Sequence, residues 1–268
     1  MLVYMNVKIV SILAFSFLSI SSVQALTKIK IATLEWPPYT CARCPEGGVA
    51  SKVLKEYLNK QGYEVELSFY PWARAVKLTE NNQVDALWPC WPNDVAGTKL
   101  KVGSPFFKST LGFITRKSGN INLQQLDDLV KYRTGAVSGY GYDDDILQVL
   151  KKAPKKVQYV TDDKSNLKKL LGNRIDIALI DLVNFEYSAK FLSPKEKDEL
   201  IVQKNLQRNL DLALGFTENN FLKYNESLKK GLQQFDFEKR LAEELKKQML
   251  APQTKVEVTN TYLFAIKP

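Results

Sequence analysis

The chain has no histidine at all, so it lacks the imidazole that the commonest serine, cysteine and zinc hydrolases use as base or ligand. Catalysis by carboxylates or lysine is left open. Cysteine is scarce, with three in 268 residues. Without histidine or a fourth cysteine, a three-thiolate metal site would want its last ligand, and no metal or cofactor is expected. No internal repeat and no low-complexity segment occurs, and nothing beyond the first residues approaches the roughly 20 apolar residues a membrane span needs. Acidic residues are the smaller charged set: 29 Asp and Glu stand against 38 Lys and Arg, for a formal net charge of +9. The lysines fall mostly on expected helix faces, as at Lys164, Lys168, Lys169, Lys229 and Lys230. The excess therefore reads as a solvated surface with a modest pull on anions.

What is present begins with an export signal. Lys8 precedes an apolar run from Ile9 to Ile20, and Val23-Gln24-Ala25 carries the small residues a signal peptidase accepts. Residues 1–25 are therefore expected to be a signal peptide, with the mature chain starting near Leu26. No cysteine stands at that junction to take a lipid, so a freely diffusing periplasmic protein is expected. Export argues against nucleic acid as a partner.

From there on, apolar strands alternate with amphipathic helices, the signature of an α/β fold with mainly parallel sheets. Strands are expected at Lys28 to Ala32, Glu64 to Phe69 and Val84 to Trp88, with helices at Val49 to Gln61 and Trp72 to Asn81. Leu111 to Thr115 reads as a strand leaving this first unit. Arg133 to Val137, Tyr142 to Leu150, Val157 to Tyr159, Ser165 to Leu171 and Ile175 to Ile180 repeat the alternation as a second, smaller sheet. Leu200 to Val202 and Leu210 to Phe216 are two further apolar runs, the latter placed to carry the chain back. Phe221 to Phe235 and Glu238 to Met249 have helical spacing and Lys/Glu pairing, and should pack on the outside of the first unit.

Several short motifs occur in order: Trp36-Pro37-Pro38-Tyr39, Gly47-Gly48, Tyr70-Pro71-Trp72-Ala73-Arg74-Ala75, Val84-Asp85-Ala86 and Gly103-Ser104-Pro105-Phe106-Phe107. Gly135 to Tyr140 and Gly172 to Asp181 follow. Each motif is weak alone, but the ordered set, from Lys28 to about Gln248, resembles the polar amino-acid and related extracellular solute-binding proteins. The resemblance implies a two-lobed periplasmic binding protein, each lobe a mainly parallel sheet flanked by helices and the two joined by two hinge strands. Lobe 1 would comprise residues 26–114 and 208–268, and lobe 2 residues 115–207. It further implies a monomer that closes on a small ligand and hands it to an inner-membrane permease of an ABC-type transporter, with no catalysis. A non-transport sensor or interaction protein of the same fold is the alternative, and a dehydratase-like enzyme using Glu35 and Asp181 the more distant one.

In open α/β sheets a ligand sits beyond the carboxyl ends of the strands. Those ends offer Glu35, Trp36 and Tyr39 after the first strand and Trp88, Cys90 and Trp91 after the third. Asp181 ends the last strand of the second unit, and Gly139, Tyr140 and Gly141 precede a helix whose free amides could hold an anion. By resemblance Trp36 would stack on the ligand and Asp181 would take an ammonium group, although an aspartate there also makes a good helix N-cap. Trp72 and Arg74 open a helix, from which Arg74 would present its guanidinium to a carboxylate or form an ordinary salt bridge. Tyr39 serves equally as ligand contact or core.

The departures bear on the ligand. Gly97, with Thr98 and Lys99 beside it, stands where amino-acid binders carry the arginine that grips the α-carboxylate. Pro89, Cys90, Trp91 and Pro92 replace serine and threonine donors, and Tyr140 replaces the second lobe's threonine. An ordinary α-amino acid is therefore not expected, and a flatter or more apolar molecule is. In an oxidising compartment one disulfide is expected, either Cys41 or Cys44 with Cys90 or Cys41 with Cys44.

Overall fold

In the computed structural model, which describes residues 26–250, β1 (Thr27–Thr33) enters the core through Ile29 and Ile31, both fully buried. The expected signal segment lies outside the described residues, as does the tail from 251 onward. Helix α1 (Val49–Lys60) buries Val53, Leu54 and Leu58 on one face, at about 1.5–3 kcal/mol for each such side chain. It returns the chain to β2 (Tyr63–Phe69), which pairs parallel with β1. Helix α2 (Trp72–Glu80) then leads to β3 (Ala86–Cys90) on the other side of β1.

The next strand, β4, is far longer than its apolar run suggests and covers Leu100–Arg116. The second half of the fold hangs from its far end: β5 (Thr134–Val137), α3 (Asp144–Lys152), β6 (Val157–Val160), α4 (Asp163–Leu171), β7 (Ile177–Asp181), α5 (Leu182–Ala189) and the short α6 (Pro194–Asp198). The two expected runs at Leu200 to Val202 and Leu210 to Phe216 are one strand, β8 (Leu200–Thr217). Its middle, Gln203 to Asn209, is polar and largely open to solvent, so the sequence pattern hides it. Helices α7 (Glu218–Leu232) and α8 (Phe237–Leu250) close the described chain.

The strands form one sheet in the order β2-β1-β3-β8-β4-β7-β5-β6. The second sheet read from the sequence is not separate, because the antiparallel β4–β8 ladder runs through both halves and joins them. Away from that ladder the pairings are parallel, β1 with β2 and β3, and β5 with β6 and β7, whereas β3 and β7 join the ladder antiparallel, on β8 and β4. The long ladder slips between the pairs Leu111↔Arg208 and Phe113↔Gln203, where β8 advances five residues for two of β4. Such irregularities bend a strand pair.

Helix α8 docks on α1 through Glu244, which is buried and accepts from Lys52 at 2.8 Å, Arg240 at 2.6 Å and Lys247 at 2.8 Å. Lys247 and Lys52 hold its carboxyl down to about 2.

Candidate functional site

The carboxyl ends of β1 and β3 face the Gly139–Gly141 turn that follows β5. Glycine at 48 makes the first wall possible. Its φ is +101°, and a Cβ there would stand 2.5 Å from the Tyr39 carbonyl oxygen. That close approach lets the first amides of α1 donate to the turn before it, Val49 N to Pro38 O and Ala50 N to Tyr39 O, both at 2.9 Å. Trp36 and Thr40 exchange backbone bonds across the same turn, at 2.8 and 3.1 Å. Trp36 and Tyr39 are thus placed on a braced loop, and both are buried, at 3% and 2% exposure.

On α2, Trp72, Ala75, Val76 and Thr79 form the buried stripe. Trp72 faces the cleft, and its Nε1 donates to Asp94 Oδ1 at 3.2 Å. Asp94 belongs to the 3-10 turn Pro92–Val95 after β3, where its other oxygen accepts from Trp91 N at 2.7 Å. Across the cleft Gly141 N donates to Asp94 Oδ1 at 2.6 Å, and Asn93 Nδ2 donates to Tyr142 O at 3.0 Å. A third tie joins the halves, from Asn184 Nδ2 to Pro37 O at 2.7 Å.

Between these elements Trp36, Trp72, Trp91, Asp94 and Tyr140 line a cavity with Leu34, Pro89 and Leu212. Its empty space is about 210 Å³, including the part that opens to solvent, and the rings stand close enough to leave room for about one water between them. Trp91 stands edge-on to Trp36 at 5.8 Å and to Tyr140 at 5.5 Å, and Tyr39 backs Trp36 at 4.7 Å.

Behind the rings lie two more acids. Asp163, the first residue of α4, accepts from the Tyr140 hydroxyl at 3.1 Å. Asp181 caps α5 by accepting from Asn184 N at 2.9 Å. Burial pushes all three carboxyls, Asp94, Asp163 and Asp181, up to about 7, against the hydrogen bonds that favour their ionised forms. Asp181 also repels charge on Asp163. Burial first, and then the charge of Asp181, raises the Tyr39 phenol.

The sequence candidates therefore divide. Trp36, Trp72, Trp91 and Tyr140 line the cavity. A Cβ on Gly139 would stand 3.7 Å from Trp72, so this glycine flanks it. Tyr39 and Asp181 form the layer behind. Trp36 is not the exposed loop aromatic that the sequence suggests. Three candidates are elsewhere. Arg74 sits on the open face of α2, its guanidinium 5.1 Å over the Tyr70 ring, because the buried stripe of that helix runs through 72, 75, 76 and 79. Trp88 is fully buried among Phe106, Phe107 and Phe237 in the first half's core. Glu35 is exposed and braces its loop by accepting from Ala42 N at 3.0 Å. The amide of Gly141, read as a possible anion donor, is occupied by Asp94. Asp94 and Asp163 were not legible as site residues. A helix start read at Ser165 instead of Asp163 concealed the second, and no motif drew attention to Asp94.

Of the disulfide alternatives the local one forms: Cys41 and Cys44 are bonded, with Cα atoms 5.2 Å apart. Cys90 is buried in β3 with its thiol toward Ala213 O at 3.4 Å, and burial raises its pKa well above the usual value. Iodoacetamide is therefore expected to leave the native protein unmodified, and to add one group per chain after unfolding without reductant. Mass spectrometry checks this, and three groups would mean that the disulfide is absent.

No protein-family model and no curated protein matches the chain. Solved structures do. An ancestral arginine-binding protein bound to arginine superposes with a TM-score of 0.68 at 16% identity, covering 83% of this chain and 98% of that one. A histidine kinase sensor domain with similarity to periplasmic binding proteins gives 0.66 at 14%, covering 85% and 97%. The GluR0 ligand-binding core from Nostoc punctiforme in complex with L-glutamate gives 0.65 at 16%, covering 84% and 100%. The fold is thus that of the two-lobed periplasmic binding proteins. Among the described residues no helix is long and apolar enough to cross a membrane.

Proposed function

We propose that this protein is a periplasmic solute-binding protein that captures a small ligand by closing two lobes over it. The observation that carries the reading is the lined cavity at the strand ends, bridged across the cleft by Gly141 N to Asp94, Asn93 to Tyr142 O and Asn184 to Pro37 O. Contacts that form only when both halves meet are what couples ligand binding to closure. The register slip at Leu111/Phe113 and Gln203/Arg208 lies beside the boundaries 114/115 and 207/208 read from the sequence, and there we place the hinge. Lobe 1 would then be 26–114 with 208–268, and lobe 2 would be 115–207. Transfer of the ligand to an ABC-type permease is the role favoured by likenesses to an arginine transport-system periplasmic binding protein and to an amino acid ABC transporter substrate-binding protein, and we read the protein as a monomer. A sensory role is the second reading, favoured by the likeness to a histidine kinase sensor domain. Binding without turnover fits the site better than catalysis, since Glu35 is outside the cavity and Asp181 lies behind its aromatic lining.

A thermal-shift screen of the exported protein against amines, amino acids, organic acids, sugars and aromatic metabolites tests this. A binder present at 100 times its Kd is expected to stabilise the protein by about 2.7 kcal/mol, a shift of several degrees. No shift with any class would sink the binding-protein reading, and conversion of a bound compound would replace it with an enzyme.

A further inference from the structure

Resting on the binding reading, we infer that the cleft takes a small organic cation without a carboxylate, its charge ringed by Trp36, Trp72, Trp91 and Tyr140 and balanced by Asp94. An anionic group needs free N–H donors or a guanidinium, and among the described residues the cleft-side backbone amides of Trp91, Gly141, Ser165 and Asn184 already have partners. Gly141 N and Trp91 N are held by Asp94, Ser165 N by Asp162 at 2.7 Å, and Asn184 N by Asp181. The leading amides of α1 go to the Pro38 and Tyr39 carbonyls. Among the described residues no lysine or arginine lines the cavity, and Arg74 is outside it.

Acceptors, by contrast, are in surplus. Asp163 Oδ1 and Asp181 Oδ2 are buried with no hydrogen-bond partner. The one orphan donor on a cavity-lining side chain, Trp36 Nε1, lies on the side of Asp163. A buried polar atom left unpaired is costly, and these oxygens behind the rings, when ionised, give the cleft a negative potential that a cation offsets. A desolvated cation over several aromatic faces gains from each ring's quadrupole, most of all from tryptophan. The cavity thus has the opposite electrostatic character to a chain of net charge +9. The acids do not form a metal centre: among the described residues no group of three metal-ligating side chains comes together. The small volume limits the guest to a compact amine or quaternary ammonium, admitted as the lobes part.

Isothermal titration calorimetry of the full exported chain at pH 8 tests the inference with methylammonium, tetramethylammonium, choline, putrescine and agmatine. L-arginine, L-glutamate and acetate represent ligands that carry a carboxylate. The uncharged choline isostere 3,3-dimethylbutan-1-ol isolates the charge without altering the protein. At least one cation is expected to bind, and choline about tenfold or more tighter than its isostere if it is among the binders. Asp94→Asn should weaken the cation by about tenfold or more, with an unchanged circular dichroism spectrum showing that the variant is folded. Binding of a carboxylate-bearing compound with none of the cations would overturn the cation inference and leave the binding-protein reading standing. Equal affinity for choline and its isostere would also overturn it. Silence from every compound here and in the wider screen would remove both.

Discussion

Gly141→Ala is expected to stop the two halves from closing and to weaken ligand binding by more than about a hundredfold. A Cβ at this position would fall well inside contact distance of the carbonyl carbon of Asn93 and the amide nitrogen of Asp94, across the cleft. Both are backbone atoms, so no rotamer change relieves the overlap. The same step lengthens the 2.6 Å bond from Gly141 N to Asp94 and disturbs the neighbouring Asn93 contact. Gly141 does not have the positive φ that marks Gly139, so alanine fits its own turn without backbone strain. The damage is therefore confined to closure. A ligand held by one wall alone loses the contacts of the other, and an equilibrium displaced toward the open form lowers the apparent affinity in proportion. Calorimetry with any binder from the screen reads the affinity, and small-angle scattering reads the opening. Gly119→Ala, where a Cβ meets nothing nearer than 3.4 Å, is the control. Wild-type affinity in Gly141→Ala would show that this face of the cleft does not close on the ligand.

The second large effect is with pH. Asp94, Asp163 and Asp181 have carboxyls raised by burial from the ordinary 3.8 to about 7. The closed, folded form therefore holds protons that the open or unfolded chain has already released between about pH 4 and 7. Where the native state binds more protons, stability falls as pH rises. Their contribution is fully present below about pH 4 and is lost as pH climbs through 7. Glu244 and Asp128, both held down to about 2 by lysine partners, act in the opposite sense, and their contribution is complete by about pH 5. The melting temperature of the free protein should thus peak near pH 4 and drop by pH 8, with Asp94→Asn and Asp163→Asn flattening the slope. A cationic ligand reverses the trend, because it favours the ionised carboxylates. Its affinity should rise through pH 7, by up to about tenfold per unit for each proton released. A melting temperature that stays level from pH 5 to 8 would mean that these acids titrate like exposed ones.

Much of the fold was legible because its elements are amphipathic. Ile29 and Ile31 alternate with lysines, and Val53, Leu54 and Leu58 recur at helical spacing, so β1 and α1 announce themselves. The long strands β4 and β8 were visible only at their apolar ends. The middle of β8 is polar and partly exposed apart from Leu206, and the first part of β4 interrupts its buried Phe106 and Phe107 with glycine, proline and exposed lysines, so neither stretch shows a strand's apolar pattern. For the cavity, the aromatic residues at strand ends were readable because a strand's direction and the Gly-rich turns locate them. Arg74 and Trp88 were misplaced because a motif names a residue without stating which face of its element is buried.

Composition and order alone determined that this is an α/β chain without imidazole chemistry, with aromatic residues gathered at the strand ends. Those properties follow from local periodicity, which any short window of sequence contains. Only the tertiary structure decided that Cys41 pairs with Cys44, that Arg74 stays outside, and that Asp94 stands among the aromatic side chains with Asp163 and Asp181 behind them. Residues 94, 163 and 181 are far apart along the chain, and the β4–β8 ladder, with the backbone contact of Gly141 on Asp94, is what brings them to one place.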